Sequence, residues 1–267
     1  MSTSKSKGTA LITGASNGIG AIYADRLARR GYDLVLLARN RERLEKVAQR
    51  VSSETHRKVE TIVADLSDPV DLARVEANLR VDSRITLLVN NAGLGAVMPL
   101  LSSDVGKMDE LIRVNILALT RLTYAVVPGF VARGNGAIIN IASAVALAPD
   151  MLNGVYGASK SFVLAFSQSL ATELAPKGVR VQVVLPGATA TDFWSAAGQP
   201  VENLPQQIVM SGDDLVDAAL KGFDMGEFAT VPSLPNVEEW NAFESARLGL
   251  RSKLSLSKPA ARYAKSH

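Results

Sequence analysis

The 267 residues provide enough chain for one large domain or two small ones, and an apolar fraction of 47% excludes a disordered protein. The chain has no cysteine, which excludes disulfides and thiol chemistry, and only His56 and His267 offer an imidazole. We therefore expect no metal site. The formal charge is +3, but six basic residues and no acidic ones lie from Arg247 to the C-terminus. The remainder has 23 basic and 26 acidic residues and is mildly acidic.

Strand and helix patterns alternate along the chain. The predicted strands lie at 9–12, 33–38, 59–63, 85–89, 137–141 and 179–185, with an edge strand at 227–231. The predicted helices are one with the apolar stripe Ile19, Ile22, Tyr23 and Leu27, one around 44–51, and those at 104–131, 153–175 and 237–248. Continuous apolar runs are typical of strands covered on both faces. Repeated strand–helix units predict an α/β fold, a doubly wound parallel sheet flanked by helices, in one domain over residues 1–267.

Polar or glycine-rich segments directly follow six of the predicted strands. They are residues 14–20, Arg39, Asp65, Asn90, Ser143 and Pro186-Gly187. Ligands of doubly wound sheets bind beyond the carboxyl ends of the strands, so we expect these six segments to meet at one edge.

The turn from Thr13 to Gly20 reads Thr-Gly-Ala-Ser-Asn-Gly-Ile-Gly. Gly14 permits backbone angles that other residues avoid, and Gly18 and Gly20 allow a pyrophosphate to approach the chain. The helix that follows would point free N–H groups at this anion. The spacing differs from G-x-G-x-x-G, and a purely structural turn is the alternative, which the strand–turn–helix context disfavours.

The second strand ends at Ala38-Arg39, where NAD-preferring sites carry an acidic residue for the adenosine ribose. A carboxylate would repel a 2′-phosphate, whereas a guanidinium binds it with paired hydrogen bonds. The sequence therefore favours NADP(H), with NAD(H) possible. Arg39 as a solvated loop residue is the alternative, and the nearby Arg41 and Arg43 leave the identity of the phosphate-binding arginine open.

Ser143, Tyr156 and Lys160 have the chemistry for carbonyl reduction. The spacing of four places the phenol and the ammonium on one helix face. A free phenol has a pKa of about 10, and a neighbouring ammonium is expected to lower that pKa. Ser143 can donate a second hydrogen bond to the carbonyl oxygen. Tyr-x-x-x-Lys alone is a common spacing. The serine at the end of the preceding strand strengthens the interpretation as a catalytic site.

Asn115 falls on the apolar face of the predicted helix at 104–131. A buried amide without hydrogen-bond partners costs about 1–3 kcal/mol, so we expect it to bond to the backbone or an ordered water. The sequence leaves open whether Asn115 is a structural bridge or part of the site.

These segments resemble the short-chain dehydrogenase/reductase family over residues 8–192. The matching positions are Thr13 to Gly20, Asp65, Asn90-Asn-Ala-Gly93, Asn115, Ser143, Tyr156, Lys160 and Pro186 to Thr191. The resemblance implies a Rossmann-type fold and an oxidoreductase with the catalytic tetrad Asn115, Ser143, Tyr156 and Lys160. It also implies that the tyrosine is the acid/base, that the lysine holds the nicotinamide ribose and that the asparagine supports a water in a proton relay.

The resemblance extends to the cofactor contacts. It implies that Asp65 and Leu66 contact adenine, that Asn90 supports the sheet, that Gly187 lies near the nicotinamide and that Thr191 lies near its carboxamide or the diphosphate. The predicted cofactor set is Thr13, Gly14, Ser16, Asn17, Gly18, Ile19, Gly20, Arg39, Asp65, Leu66, Asn91, Ala92, Gly93, Tyr156, Lys160, Pro186, Gly187, Thr189 and Thr191. NADP-preferring members often carry a basic residue where this chain has Asn17, so the preference for NADP(H) rests on Arg39.

A substrate loop is predicted at 188–212, within a region at 188–225. Its apolar candidates are Phe193, Trp194 and Met210, and those flanking Ser143 and Tyr156 are Val145, Leu147, Met151, Leu152 and Val155. Such a pocket fits ketones, steroid-like or fatty acyl compounds and small aromatics. We expect an oxidoreductase that acts on a carbonyl or secondary alcohol. The alternatives are a 3-oxoacyl thioester (acyl-carrier-protein) reductase and a regulatory protein that binds the cofactor without turnover.

The two long helices predict self-association, since apolar residues such as Phe162, Leu164, Phe166 and Leu170 occupy more than one face. We expect a homodimer or homotetramer. Residues 236–267 form a C-terminal extension whose basic residues could contact nucleic acid or a membrane. We favour a solvated or subunit-contacting tail and expect neither partner. Residues 1–7 resemble no signal peptide, and no uncharged apolar stretch approaches a membrane span, so we expect a cytoplasmic protein.

Overall fold

The structure, a computed structural model, describes residues 7–263. The chain divides into two compact units, of which the first ends at Pro232 and the second begins at Ser233. The first unit contains the whole sheet and every motif described above. The prediction of a single domain over residues 1–267 stays a prediction.

Within residues 7–263, seven strands form one parallel sheet in the order β3-β2-β1-β4-β5-β6-β7. The strands are β1 (Thr9–Thr13), β2 (Asp33–Ala38), β3 (Val59–Val63), β4 (Ile85–Asn90), β5 (Gly136–Ile141), β6 (Val179–Val184) and β7 (Ala229–Thr230). All neighbouring pairs run parallel, including the edge pair β6–β7. The predicted fold class is confirmed, and the edge strand is shorter than the predicted 227–231.

The described residues also form α-helices. They are α1 (Gly18–Arg29), α2 (Arg41–Thr55), α3 (Pro69–Val81), α4 (Val105–Ile112), α5 (Leu119–Arg133), α6 (Gly154–Leu174), α7 (Phe193–Ala196), α8 (Gly212–Met225) and, in the second unit, α9 (Val237–Gly249). The sequence analysis did not predict α3 or α8. Both begin with clear signals, because Asp68 caps α3 with Pro69 as its first residue and Ser211 caps α8.

The predicted helix at 104–131 is divided into three parts. The π-helical segment Arg113–Ala118 lies between α4 and α5 and contains Asn115. Such wide turns occur mostly as short insertions in α-helices and are frequent at functional sites. This irregularity has no signature in the apolar periodicity, so the sequence predicted one continuous helix.

The apolar core lies on both faces of the sheet. Successive residues of β1 alternate between them, since Ala10 and Ile12 belong to one buried cluster and Leu11 to the other. Helices α1, α2 and α8 complete the first cluster, and α3, α5 and α6 complete the second. Because the side chains of a strand point alternately to opposite faces, a strand covered on both sides is apolar along most of its length.

The stretch Val105–Arg133 is long and apolar enough to cross a membrane by length and composition, and half of its most apolar window is buried in the fold. The sequence analysis sought uncharged runs, which Arg113 and Arg121 interrupt. Core helices of globular proteins pass the same test. Glu76 of α3 forms a charged pair with Arg121 of α5, which joins this stretch to the rest of the first unit.

The second unit consists mainly of α9, which begins after the capping residue Asn236 and has no buried residue. The rings of Trp240 and Phe243 lie 5.6 Å apart. The leucines of the C-terminal extension are all exposed: Leu248, Leu250, Leu254 and Leu256.

Candidate active site

A cavity of about 1190 Å³ runs along the carboxyl edge of the sheet. Residues from five of the six strand-end segments singled out in the sequence line this cavity. The sixth, Asn90 after β4, does not line it, but the next residues, Asn91 to Gly93, do. The parallel arrangement therefore brings together segments as far apart in the chain as Gly14 and Gly187.

Most residues predicted for the site line this cavity. They are Gly14, Ser16, Asn17, Gly18, Ile19, Arg39, Asp65, Leu66, Asn91, Ala92, Gly93, Ser143, Tyr156, Lys160, Pro186, Gly187, Thr189 and Thr191. Three predicted residues, Thr13, Gly20 and Asn115, are buried behind this surface. The structure does not itself test which of these residues contact a cofactor, and their roles stay predictions.

The glycine-rich turn is shaped to bring backbone close to a ligand. Gly14 and Gly18 have φ angles of +66° and +51°, and residues other than glycine rarely adopt such angles. A Cβ atom on Gly20 would lie 2.4 Å from the carbonyl oxygen of Gly14. Asn17 precedes α1 without capping it, so the first N–H groups of this helix are available to an anion in the cavity. The turn therefore fits the pyrophosphate of a dinucleotide.

Hydrogen bonds between β1 and β4 hold this turn in place. The Thr13 hydroxyl accepts hydrogen bonds from the backbone N–H groups of Asn91 at 3.0 Å and Ala92 at 2.9 Å. The Asn91 amide donates to the carbonyl oxygens of Thr13 at 2.9 Å and Gly14 at 3.3 Å. Thr13 and Asn91 thus position the residues that face the cavity.

Two arginines lie where the second strand ends. Arg39 Nη1 is 3.1 Å from Glu110 Oε1 and 3.6 Å from Asp65 Oδ2. Arg43 Nη1 is 3.4 Å from Asp192 Oδ2, and both arginines line the cavity. Arg41 pairs with Glu45 and does not line the cavity. Of the three arginines that the sequence left open for the phosphate, Arg39 and Arg43 therefore remain candidates.

Tyr156 and Lys160 are both buried, with 5% and 6% of their surfaces exposed. Lys160 Nζ lies 5.9 Å from the centre of the Tyr156 ring and donates a hydrogen bond to the carbonyl oxygen of Ile141 at 3.0 Å. Asn153 caps α6 by accepting from the N–H groups of Val155 and Tyr156. The helix that carries the phenol and the ammonium is thus fixed at its first turn.

Burial controls the protonation of both groups. It raises the pKa of Tyr156 to about 12, although a hydrogen bond with Ser143 acts in the opposite direction. It lowers the pKa of Lys160 to about 8. The expected lowering of the phenol pKa is therefore wrong for this structure, because desolvation of the phenolate outweighs the hydrogen bond with Ser143. At neutral pH the phenol holds the proton that it must donate.

Ser143 stands at the end of β5 beside the phenol. Its hydroxyl donates to the carbonyl oxygen of Pro186 at 3.3 Å and accepts from the N–H of Val145 at 3.3 Å. These distances are long for such bonds, so the hydroxyl can be redirected to a carbonyl oxygen in the cavity at little cost.

Asn115 uses its side chain to bind two other elements. Its Nδ2 donates to the carbonyl oxygen of Leu94 at 2.9 Å and to Ser159 Oγ at 3.1 Å, and its Oδ1 accepts from the Leu94 N–H at 2.8 Å. The amide therefore joins the π-helical segment to the strand-end loop and to α6. This is a structural bridge within the site, and the part of Asn115 in a proton relay stays a prediction.

An apolar wall continues from Tyr156. Ala96, Leu111, Val145 and Tyr156 form a buried cluster against which Phe193 and other partly buried side chains pack. Of the apolar candidates from the sequence, Phe193, Trp194, Val145, Met151 and Leu152 line the cavity. Three others do not: Met210 packs against a core cluster, Leu147 is 40% exposed and Val155 lies within the apolar wall. Sequence spacing does not reveal the direction in which a loop side chain points.

A family model described as short chain dehydrogenase matches residues 8–202. The chain belongs to the short-chain dehydrogenase family. The resemblance inferred from the sequence is thereby confirmed, as is the assignment to a family of oxidoreductases.

Two solved structures are similar over nearly the whole chain. A short-chain dehydrogenase from Sphingobium yanoikuyae in complex with NADPH is 49% identical, with a TM-score of 0.93, and the match covers 96% of this chain and 100% of that one. The bulky-bulky ketone specific alcohol dehydrogenase from Comamonas testosteroni is 44% identical, with a TM-score of 0.90, and the match covers 98% of this chain and 100% of that one.

Curated relatives match a smaller region. The very-long-chain 3-oxoacyl-CoA reductase of Bos taurus is 39% identical over 186 residues, which are 68% of this chain and 59% of the relative. The hydroxysteroid dehydrogenase-like protein 1 of Gallus gallus is 39% identical over 194 residues, 70% of this chain and 57% of the relative. The chain thus spans about three fifths of the length of the curated relatives it matches.

Replacing Tyr156 by phenylalanine should remove the proton donor and leave the cavity intact. We expect kcat/KM for a ketone to fall by about 100-fold or more, the range of general acid catalysis. The Kd for NADPH, measured by fluorescence titration, should change less than about twofold, since the ring remains. Tyr263→Phe, at a tyrosine that is 67% exposed, is the matched control. A Tyr156→Phe enzyme that keeps most of its kcat would show that another group donates the proton.

Replacing Lys160 by methionine should stabilise the fold at neutral pH while it impairs activity. The folded-state pKa of about 8 lies below the ordinary value of 10.5, so the unfolded chain binds more protons between these values and wild-type stability rises with pH across that window. We expect a gain of about 1–3 kcal/mol in the free energy of unfolding at pH 7. The variant no longer buries a charged group, which stabilises the fold, and the loss of one hydrogen bond offsets part of this gain.

The gain should be largest below pH 8 and decline between pH 8 and 10.5, where wild-type Lys160 becomes neutral in the folded state. Urea unfolding at several pH values measures it. Lys177→Met, at a lysine whose side chain is 44% exposed, should show no such gain. A Lys160→Met protein less stable than wild type at pH 7 would contradict the assignment.

Proposed function

We propose that this protein is an NADP(H)-dependent oxidoreductase that reduces bulky, largely apolar ketones to secondary alcohols, with Tyr156 as the acid. One observation carries the proposal. A single cavity joins the glycine-rich turn, two arginines, the buried Tyr156–Lys160 pair and an apolar wall. A cavity of this kind holds a dinucleotide at one end and an apolar carbonyl compound at the other.

The residues of the chain have separate tasks in this reaction. The Tyr156 phenol donates a proton to the carbonyl oxygen, which becomes the hydroxyl of the alcohol. The Ser143 hydroxyl donates a hydrogen bond to the same oxygen as negative charge develops there. The Lys160 ammonium stabilises the phenolate that remains. A bound nicotinamide supplies the hydride to the carbonyl carbon.

The apolar wall and the Comamonas neighbour favour bulky ketones as substrates. That neighbour is named as specific for ketones with two bulky substituents, and it matches nearly the full length of this chain. The names of the curated relatives support a second candidate, the reduction of 3-oxoacyl thioesters. A regulatory protein without turnover is disfavoured, because the tetrad residues Asn115, Ser143, Tyr156 and Lys160 are all present.

The experiment compares substrates in one assay. The consumption of NADPH is followed with benzophenone, acetophenone, acetone and a 3-oxoacyl-CoA. We expect the highest kcat/KM for the aromatic ketones. The thioester as the best substrate would favour the second candidate. No consumption with any of the four would contradict the proposed activity.

Preference for NADPH over NADH should depend on Arg39. Arg39→Asp removes a phosphate partner and adds a repelling charge, so we expect the ratio of kcat/KM for NADPH to that for NADH to fall by about tenfold or more, which is about 1.4 kcal/mol. Arg41→Asp, which changes an arginine outside the cavity, is the matched control. An unchanged ratio in Arg39→Asp together with a lowered one in Arg43→Asp would assign the phosphate to Arg43.

We also propose that the protein is a cytoplasmic homodimer or homotetramer. Support comes from apolar residues exposed along one helical stretch: Ile112 at 41%, Leu117 at 42% and Tyr124 at 64%. Leu164 and Leu170 of α6, counted in the sequence analysis, are buried within the chain and do not contribute.

Light scattering at micromolar concentration should therefore give a mass of two or four chains. The double variant Leu117→Asp/Tyr124→Asp should shift the mass towards one chain, because it buries two carboxylates in the proposed interface. Leu254→Asp, at a leucine of the C-terminal extension that is 74% exposed, is the matched control. A monomeric wild type would refute the proposal. Dissociation by Leu254→Asp alone would move the interface to the extension.

A further inference from the structure

Gly95, in the loop after β4, forms a recess that the ring of Phe193 fills. A Cβ atom on Gly95 would lie 2.3 Å from Cζ, 2.8 Å from Cε2 and 2.9 Å from Cε1 of this ring, and these are its three nearest heavy atoms. Gly95 is not among the described glycines with positive φ. Its backbone therefore accepts alanine, and the ring is the obstacle to a larger residue.

Two further aromatic side chains flank the Phe193 ring. The Tyr156 ring lies 5.8 Å away, tilted by 48°, and the Trp194 ring lies 5.8 Å away, edge-on at 88°. Trp194 is itself anchored, because its Nε1 donates to the carbonyl oxygen of Thr189 at 3.1 Å. The ring thus stands beside the proton donor, between a glycine recess and a fixed indole.

We propose that Phe193 is a specificity-determining residue, and that the Gly95 recess holds its ring clear of the space beside Tyr156 that one substituent of the ketone occupies. This inference rests on the proposed ketone reduction and adds the part of the pocket that admits a second bulky substituent. While the ring is seated, a flat aryl group fits beside the phenol. A displaced ring narrows this space and disfavours a second aryl group more than a methyl group.

An alanine at position 95 would unseat the ring. Ordinary contact between a Cβ and a ring carbon begins at about 3.4 Å, so the ring would have to retreat by about 1 Å. Gly95 and Trp194 block two directions, and the retreat therefore leads towards Tyr156 and the cavity. Removing the ring altogether widens the same space.

The two substitutions should consequently act in opposite directions and depend on each other. Gly95→Ala should lower kcat/KM for benzophenone about tenfold relative to acetophenone, the size expected for overpacking. Phe193→Ala should keep or raise this ratio. In the Phe193→Ala background, Gly95→Ala should change the ratio less than about threefold, since no ring remains to be displaced. Gly154→Ala is the control, because its Cβ would meet no atom within 4 Å.

Binding to the complex with NADP⁺ provides a readout that needs no turnover. The Kd for benzophenone, measured by calorimetry, should rise in Gly95→Ala and return to the Phe193→Ala value in the double variant. If the Kd values follow this pattern but the wild type does not reduce benzophenone, the proposed ketone reduction is refuted and the role of Phe193 is retained. Turnover in the wild type with equal effects of Gly95→Ala in both backgrounds would overturn the role of Phe193 and retain the reductase. A wild type that neither binds nor reduces benzophenone would overturn both.

Discussion

Burial of an ammonium next to a phenol is the constraint on which the site depends. Lys160 has 6% of its surface exposed, and burial alone lowers its pKa to about 8. A buried charge is costly unless it is hydrogen-bonded, and Lys160 donates to the carbonyl oxygen of Ile141. The same burial raises the pKa of Tyr156 to about 12. The fold thus keeps a proton on the phenol and a poorly solvated ammonium beside it. The phenol therefore enters the reaction with its proton, and the ammonium favours the phenolate that proton transfer leaves behind. The buried charge of Lys160 reduces the stability of the fold at neutral pH.

A buried polar network holds the elements around this pair. The Asn90 amide donates to Asn140 Oδ1 at 2.9 Å, and the Asn140 amide donates to Ser167 Oγ at 2.9 Å, which joins β4, β5 and α6. Asn115 adds the π-helical segment and the loop at Leu94. Polar groups in a low-dielectric core fix geometry because each unpaired group would be expensive. The expected support of the sheet by Asn90 has its physical basis in these contacts.

The sequence predicted what depends on local pattern. Mostly apolar runs placed six strands within one or two residues of their observed ends, because strands covered on both faces contain few polar residues. The capped starts of α3 and α8 were overlooked, although Asp68 and Ser211 gave the signal. The pKa direction of Tyr156 was wrong because burial is a property of the whole fold. The contact of Gly95 with Phe193 joins residues 98 positions apart, and no local pattern announces it.

The charged end of the cavity shows how a preformed site can exchange partners. Arg39 pairs with Glu110 and Arg43 with Asp192, and all four side chains are more than a third exposed. Exposed ion pairs contribute only about 0–1 kcal/mol, since water screens them and ordering the side chains costs entropy. A phosphate offers more charge and more acceptor oxygens than either carboxylate, so it can replace them with a net gain. The carboxylates keep the arginines oriented at the cavity, and the weakness of these pairs leaves the guanidinium groups available for a 2′-phosphate.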